Sequence, residues 1–303
     1  MQAEMGREMT HQIVGLGEIL WDVFPDGPRF GGAPANAACS AAELGGDAAR
    51  VVMVSGVGED PLGDEAVASL QTHGVDLAGV QRNRWSTGRV DVTVDAAGIA
   101  SYRFAEDSAW DHLVWDDTLA QLAADTSAVC FGTLGQRHSD TRAVIRRFVE
   151  TVPGTALRVL DVNLRPPYDD DQLILESLSL CNVVKLNDEE LPRVARLCGC
   201  RGEAIDVMRA LAERYQLKAV ALTRSAHGAV LLRGQQFSDG AGKPVVVADT
   251  VGAGDAYTAA LMLGLLADRD VAEINAWAIE VASHACRVAG GTMPFPVDLH
   301  FRA

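Results

Sequence analysis

The chain has 303 residues, 48% of them hydrophobic, with a formal net charge of -15 and a pI near 4.8. That length and apolar content suit one large core or two domains and exclude a disordered chain. The acidic balance excludes a nucleic-acid backbone or an anionic membrane as the main partner, and favours a small ligand that is neutral or locally neutralised.

In chain order, Met1 to His11 is polar and carries no apolar signal core. Ile13 to Glu18 predicts a strand; Leu20 stands where a dinucleotide fingerprint opened by Gly15 and Gly17 would need its third glycine, which argues against a Rossmann dehydrogenase. Asp22 follows this strand, ahead of the turn cluster Phe24-Pro25-Asp26-Gly27-Pro28. Two glycines, Gly31 and Gly32, precede a helix predicted over Pro34 to Leu44, with Pro at its start and Gly45-Gly46 beyond its end. That pattern leaves Asn36 unexplained, as either a ligand contact or a local hydrogen-bonding residue.

A strand over Val51 to Ser55 comes next. Val90 to Val94 and Ile99 to Phe104 alternate as two strands joined by Asp95-Ala96-Ala97-Gly98. Such a hairpin projects as a lid, with the cluster at residues 24–28 in the same small sheet, or it extends the edge of the main sheet. Further strands are predicted at Ala128 to Phe131, Arg158 to Asn163, Val183 to Asn187, Ala219 to Thr223 and Ala229 to Arg233. Helices are predicted at Asp140 to Thr151, Asp188 to Leu197, Glu203 to Tyr215 and Val271 to Arg287. This alternation predicts an α/β fold: a three-layer α/β/α sandwich on a mainly parallel sheet, one domain over residues 1–303, with lid segments near 22–33 and 86–106. The apolar run Ala256 to Ala267 is too short to span a bilayer, and the six scattered cysteines lack metal spacing; a reducing cytoplasm is the expected setting.

Polar residues gather where strands end: Asp22, then Asp161, Asn163 and Arg165, then Asn187 and Glu190. Each alone also reads as a cap or a surface ion pair, but ligands of open parallel sheets bind outside the carboxyl ends of the strands. The stretch "DTVGAGDAYTAAL" (Asp249 to Leu261) places Asp255 in the first turn of an apolar helix. There it is a helix cap, or a base facing a phosphate-sized hole made by backbone N–H groups. Two glycines and a second acid favour the hole.

"GGAPANAACSAAELGG" (Gly31 to Gly46) and "DTVGAGDAYTAAL" resemble the two signatures of the ribokinase/PfkB family of carbohydrate kinases. Within it, "GEILWDVFP", "SAWDHL", "FGTLGQR", "DVNLRPPY" and "KLNDEEL" are most similar to bacterial fructokinases. The resemblance implies a ribokinase-like fold and transfer of the γ-phosphoryl of Mg-ATP to a sugar primary hydroxyl, D-fructose foremost, with 2-keto-3-deoxygluconate as the same-fold alternative. A non-catalytic sugar-binding regulator is the alternative of a different class.

The same resemblance makes Asp255 the general base and gives the N–H groups of Gly252, Ala253 and Gly254 to the transferring phosphoryl. It gives Asp22, Gly32, Asn36, Asn163 and Arg165 to the sugar side. Asn187, Thr223, Gly228, Gly252, Gly254 and His284 fall to ATP, although His284 also reads as a helix-packing residue. Glu190 is implied to organise Mg2+ through water, and Asp249 to lie by a monovalent cation, K+ being the candidate. Ser225 stands where relatives often carry Gly, and Pro294 where some carry a small polar residue near the cation. Lid pairing into a homodimer is common in the family; the apolar face of Val90, Val92 and Val94 would serve that or cover the chain's own crevice.

Overall fold

The computed structural model describes residues 11–94 and 100–302, so the predicted turn Asp95 to Gly98 and Ile99 lie outside the described residues. The chain opens with β1 (His11–Leu16), β2 (Leu20–Phe24), β3 (Gly27–Gly31), α1 (Ala33–Gly45), β4 (Ala49–Gly58), α2 (Pro61–Thr72) and β5 (Asp76–Asn83). β6 (Gly88–Val94), β7 (Ala100–Phe104), α3 (Asp117–Ala124), β8 (Ala128–Gly132), α4 (Ser139–Thr151) and β9 (Leu157–Asp161) form the middle. The last part holds α5 (Asp171–Leu180), β10 (Val183–Asn187), α6 (Leu191–Leu197), α7 (Ala204–Tyr215), β11 (Ala219–Thr223), β12 (Ala229–Arg233), β13 (Gln236–Gly240), α8 (Ala253–Leu266) and α9 (Val271–Ala285).

Nine strands form the central sheet in the order β13-β12-β11-β10-β9-β8-β1-β4-β5, parallel from β11 to β5 and antiparallel at β12 and β13. Successive strand residues feed opposite faces, as the two-residue period requires. Ile13, Met53, Cys130 and Ala221 join a core under α1, α2, α8 and α9, while Val14, Val54, Phe131 and Leu222 join one under α3 to α7. The three predicted layers are present.

α8 is buried on every side from Ala256 to Leu265, which explains why its sequence has no polar face. The two polar side chains in that stretch are satisfied inside the core: Tyr257 Oη donates to Asn275 Oδ1 at 2.8 Å, and Thr258 Oγ1 shares its one proton between Gly254 O at 3.0 Å and Asp161 Oδ2 at 3.2 Å.

A second sheet, β3-β2-β6-β7, is separate from the first, with β2 parallel to β6 and antiparallel to β3. The turn cluster at residues 24–28 is the tip between β2 and β3. Asp22 therefore lies in the middle of β2, in the small sheet, and not at the end of a main-sheet strand as the sequence suggested. Val90 packs with Leu20, Trp110 and Leu134, and Val90 and Val92 are both buried within the single chain.

Helices α2, α3 and α5 were not individually located from the sequence, yet each begins after an Asp whose carboxylate accepts a backbone N–H: Asp60 from Gly63, Asp116 from Leu119 and Asp170 from Leu173. That capping signal was available in the sequence. The helix predicted from Asp188 starts at Leu191, because Asn187 and Glu190 close the first turn differently.

Candidate active site

The chain leaves β1 for β4 on one side and later for β8 on the other, so the sheet order reverses at β1 and opens a crevice at the carboxyl ends. Register places Gly132 beside Asp161, Asp161 beside Lys185, and Asn187 beside Thr223 along that edge. α1 enters after Gly32, whose φ of 109° and tight approach to the Glu18 carbonyl exclude a side chain.

Gly252 caps α8 in the left-handed region, φ 79°, and a Cβ there would sit 2.4 Å from the Gly291 oxygen. No side chain caps the helix. At its start Ala253 N makes only a long 3.4 Å bond to Thr250 O, and the regular ladder begins with Ala256 N to Gly252 O at 2.8 Å, so the first turn presents the positive end of the helix dipole. Asp255 is thus not a cap. Its Oδ2 accepts a 2.8 Å hydrogen bond from Asn36 Nδ2, joining α8 to the first turn of α1. Asn36 is 4% exposed, with its own Oδ1 unpartnered.

Burial, followed by the neighbouring Asp161 carboxylate, pushes the Asp255 carboxyl up to about 6, against the pull of Lys185, the Asn36 bond and Arg165. Asp22 is pushed up to about 6, mainly by burial, with Arg165 and Arg29 opposing and Asp249 adding to the rise. Arg165 is exposed, yet its charge acts on Asp22, Glu18 and Asp255 alike. Asn163 precedes it with φ 36°.

Below this surface lies a brace of which the sequence reading singled out only Asp161. Lys185 Nζ sits 3.0 Å from both oxygens of Asp161, both side chains almost fully buried, and Thr258 Oγ1 donates to Asp161 Oδ2 at 3.2 Å. A Cβ on Gly254 would approach Lys185 Nζ to 2.9 Å, so the ammonium lies directly against the first turn of α8. Burial works against the charge, but Asp161, Glu190 and Asp255 outweigh it and raise the Lys185 pKa. Glu18 is also missed: 2% exposed, with Oε2 unpartnered, its carboxyl is pushed up to about 7 by burial. A lone Lys in the apolar run Val183 to Leu186 was the readable sign of the first; nothing local marks the second.

Asn187 and Glu190 hold each other. Asn187 Oδ1 accepts from the N–H groups of Glu189 and Glu190 at 3.0 and 2.9 Å, while Glu190 accepts from Asn187 N and Leu164 N at 2.8 and 2.9 Å. Thr223 ends β11 half-buried, its Oγ1 3.5 Å from Leu186 O. Gly228 is required by close packing on the Gly240 carbonyl. Asp249 ties two loops, accepting from Val251 N and Gly290 N, each at 3.1 Å. His284 Nε2 lies 3.2 Å from the Pro294 carbonyl and its ring packs on Phe295. Ser225 has φ 47°, the conformation Gly adopts freely. Ser225→Gly is expected to raise stability by about 0.5–1 kcal/mol, read from the shift of the denaturant midpoint. Trp110 is buried with the Arg137 guanidinium 4.1 Å above its ring, so it does not line the crevice.

Residues 27–298 match the model of the pfkB family carbohydrate kinases. The chain belongs to that family. A fructokinase of Salmonella typhimurium is 30% identical over 273 residues, covering 86% of each chain. The structure of an uncharacterized sugar kinase of Pyrococcus horikoshii in complex with ATP is 25% identical, with a TM-score of 0.78 over 92% of this chain and 93% of its own. A 2-dehydro-3-deoxygluconokinase of Thermotoga maritima is 17% identical with a TM-score of 0.84, over 95% and 98%, and shares the fold. This pfkB kinase is therefore a phosphotransferase acting on a sugar hydroxyl. Among the described residues no helix is long and apolar enough to cross a membrane.

Proposed function

We propose that this pfkB kinase transfers the γ-phosphoryl of Mg-ATP to the 6-hydroxyl of D-fructose, with Asp255 as the base. The observation that carries the reading is that Asp255, at the uncapped start of α8, spends its carboxylate on Asn36 and not on the helix. A carboxylate fixed beside the N–H groups of a helix start can take a hydroxyl proton while those groups stabilise charge on the arriving phosphoryl. Asn36, with its unpartnered Oδ1, Asp22, Gly32 and Asn163 fall to the sugar, and the second sheet to a lid over it. Gly252, Ala253, Gly254, Asn187, Thr223 and Gly228 fall to ATP.

The donors fit Mg2+ held through water. Both Glu190 oxygens already accept backbone N–H bonds, so Glu190 and Asn187 would hold the ion's waters and not the ion itself. When bound, Mg2+ neutralises charge on the phosphate oxygens. Asp249 would face a monovalent cation with whatever lone pairs its loop ties leave.

The pH dependence follows from the base. Asp255 must be ionised to act and its carboxyl is raised to about 6, so log kcat/KM is expected to climb with unit slope below about pH 6 and level off above it. Asn36→Ala removes a bond that favours the ionised form, and should move that limb to higher pH. A profile flat from pH 5 to 8 would contradict this assignment.

Fructose is favoured by the 30% identical fructokinase. Arg165, a cation felt by both Asp22 and Asp255, supports a second reading in which the substrate carries a carboxylate. Coupled assays with fructose, 2-keto-3-deoxygluconate, ribose and nucleosides decide between them; turnover confined to the sugar acid would replace fructose.

A further inference from the structure

Away from the crevice, where the chain returns from β7 toward α3, the side chains of Asp107, His112 and His138 bring one ligand atom each to within 4.8 Å of one another. His112 Nε2 is buried without a hydrogen-bond partner and lies 3.7 Å from Asp107 Oδ1. That is too long for a hydrogen bond, but close to the roughly 3.3–3.5 Å between neighbouring ligands on a tetrahedral zinc with bonds of about 2.0–2.1 Å.

The opposite ring nitrogen, His112 Nδ1, lies 4.0 Å from Asp140 Oδ2, and His138 Nδ1 lies 3.9 Å from the same carboxylate oxygen. Metal-bound imidazoles characteristically give their second N–H to such a carboxylate, which fixes tautomer and orientation. His138 Nδ1 also accepts a long 3.4 Å bond from Asp140 N, which metal binding would exchange for the carboxylate contact.

The His112 ring is held in place by stacking on Trp85 at 4.0 Å and 15°. The His138 ring is 4.7 Å away, so two imidazoles share one space with two carboxylates around them. Arg137, next to His138 in the chain, is paired with Asp111 at 2.6 Å. Two nitrogens and one carboxylate oxygen suit zinc or a similar transition-metal ion and not magnesium, which prefers oxygen alone.

We propose that Asp107, His112 and His138 form a zinc site, oriented by Asp140, that clamps the return from the second sheet onto the start of α4. The test uses tag-free full-length protein stripped with EDTA. Titration with Co2+ is expected to give one equivalent with the visible absorption of a four-coordinate nitrogen and oxygen site, displaced by Zn2+. Asp140→Asn, an exposed change, should weaken Zn2+ about 10–100-fold, and His112→Ala and His138→Gln at least as much, with melting of each metal-free variant measured alongside. Asp255→Asn should bind Zn2+ as the wild type does, so the outcome is independent of the sugar reading. Failure of the stripped protein to bind Co2+ or Zn2+, or binding unchanged in both His138→Gln and Asp140→Asn, would overturn the site.

Discussion

Asp255→Asn is expected to lower kcat by about 10²–10⁴-fold, the contribution of a positioned general base, with KM for sugar and ATP little changed. Asparagine keeps an oxygen for the Asn36 donor, so the contact between α1 and α8 survives. The fold should not suffer. The Asp255 carboxyl is raised to about 6 in the folded chain, so the stability it contributes is present below about pH 4 and is lost as pH rises through 6. Removing that buried charge should leave the melting temperature at pH 8 equal to or above that of the wild type. Substantial turnover by this variant would sink the proposed role of Asp255.

Lys185→Met carries the largest expected stability effect. It strips the cation from Asp161 in a site where both partners are nearly inaccessible and leaves a buried carboxylate uncompensated. Breaking such a pair costs about 3–5 kcal/mol, a fall on the order of 10 °C in melting temperature for a chain of this size. Replacing both partners, Lys185→Met with Asp161→Leu, should recover part of that loss, because a well-packed apolar pair needs no counter-charge. Thermal melts of the single and double variants test this. Equal melting of Lys185→Met and wild type would show that the pair does not brace the first turn of α8.

The layers were legible because their signals are periodic. Strands such as Val51 to Ser55 and Ala219 to Thr223 fall where the apolar runs do, and the all-apolar run after Asp255 is a helix surrounded by protein. Asp22 was misplaced because β2 is only partly buried from Asp22 onward and is followed at once by Pro25 and Gly27, so it reads as loop. Glycine spacing at two helix starts drew attention to Gly32, Asn36, Gly252 and Asp255, and the resemblance to the family, not the spacing, implied their roles. The Asp161–Lys185–Thr258 group was not, since its members lie in three separate elements and only the register of β9 on β10, with α8 beneath, brings them together. His112 and His138 were likewise invisible as a pair, being 26 residues apart in segments that meet only at the base of the second sheet.

The Asn36–Asp255 hydrogen bond spans 219 residues of sequence. A ribosome delivers Asn36 on α1 and its partner Asp255 only 219 residues later. Nascent chains that end between β13 and α8 therefore hold every described strand of both sheets but lack the proposed base. On that assignment, the group that takes the hydroxyl proton joins the crevice only after the sheet that frames it has been made.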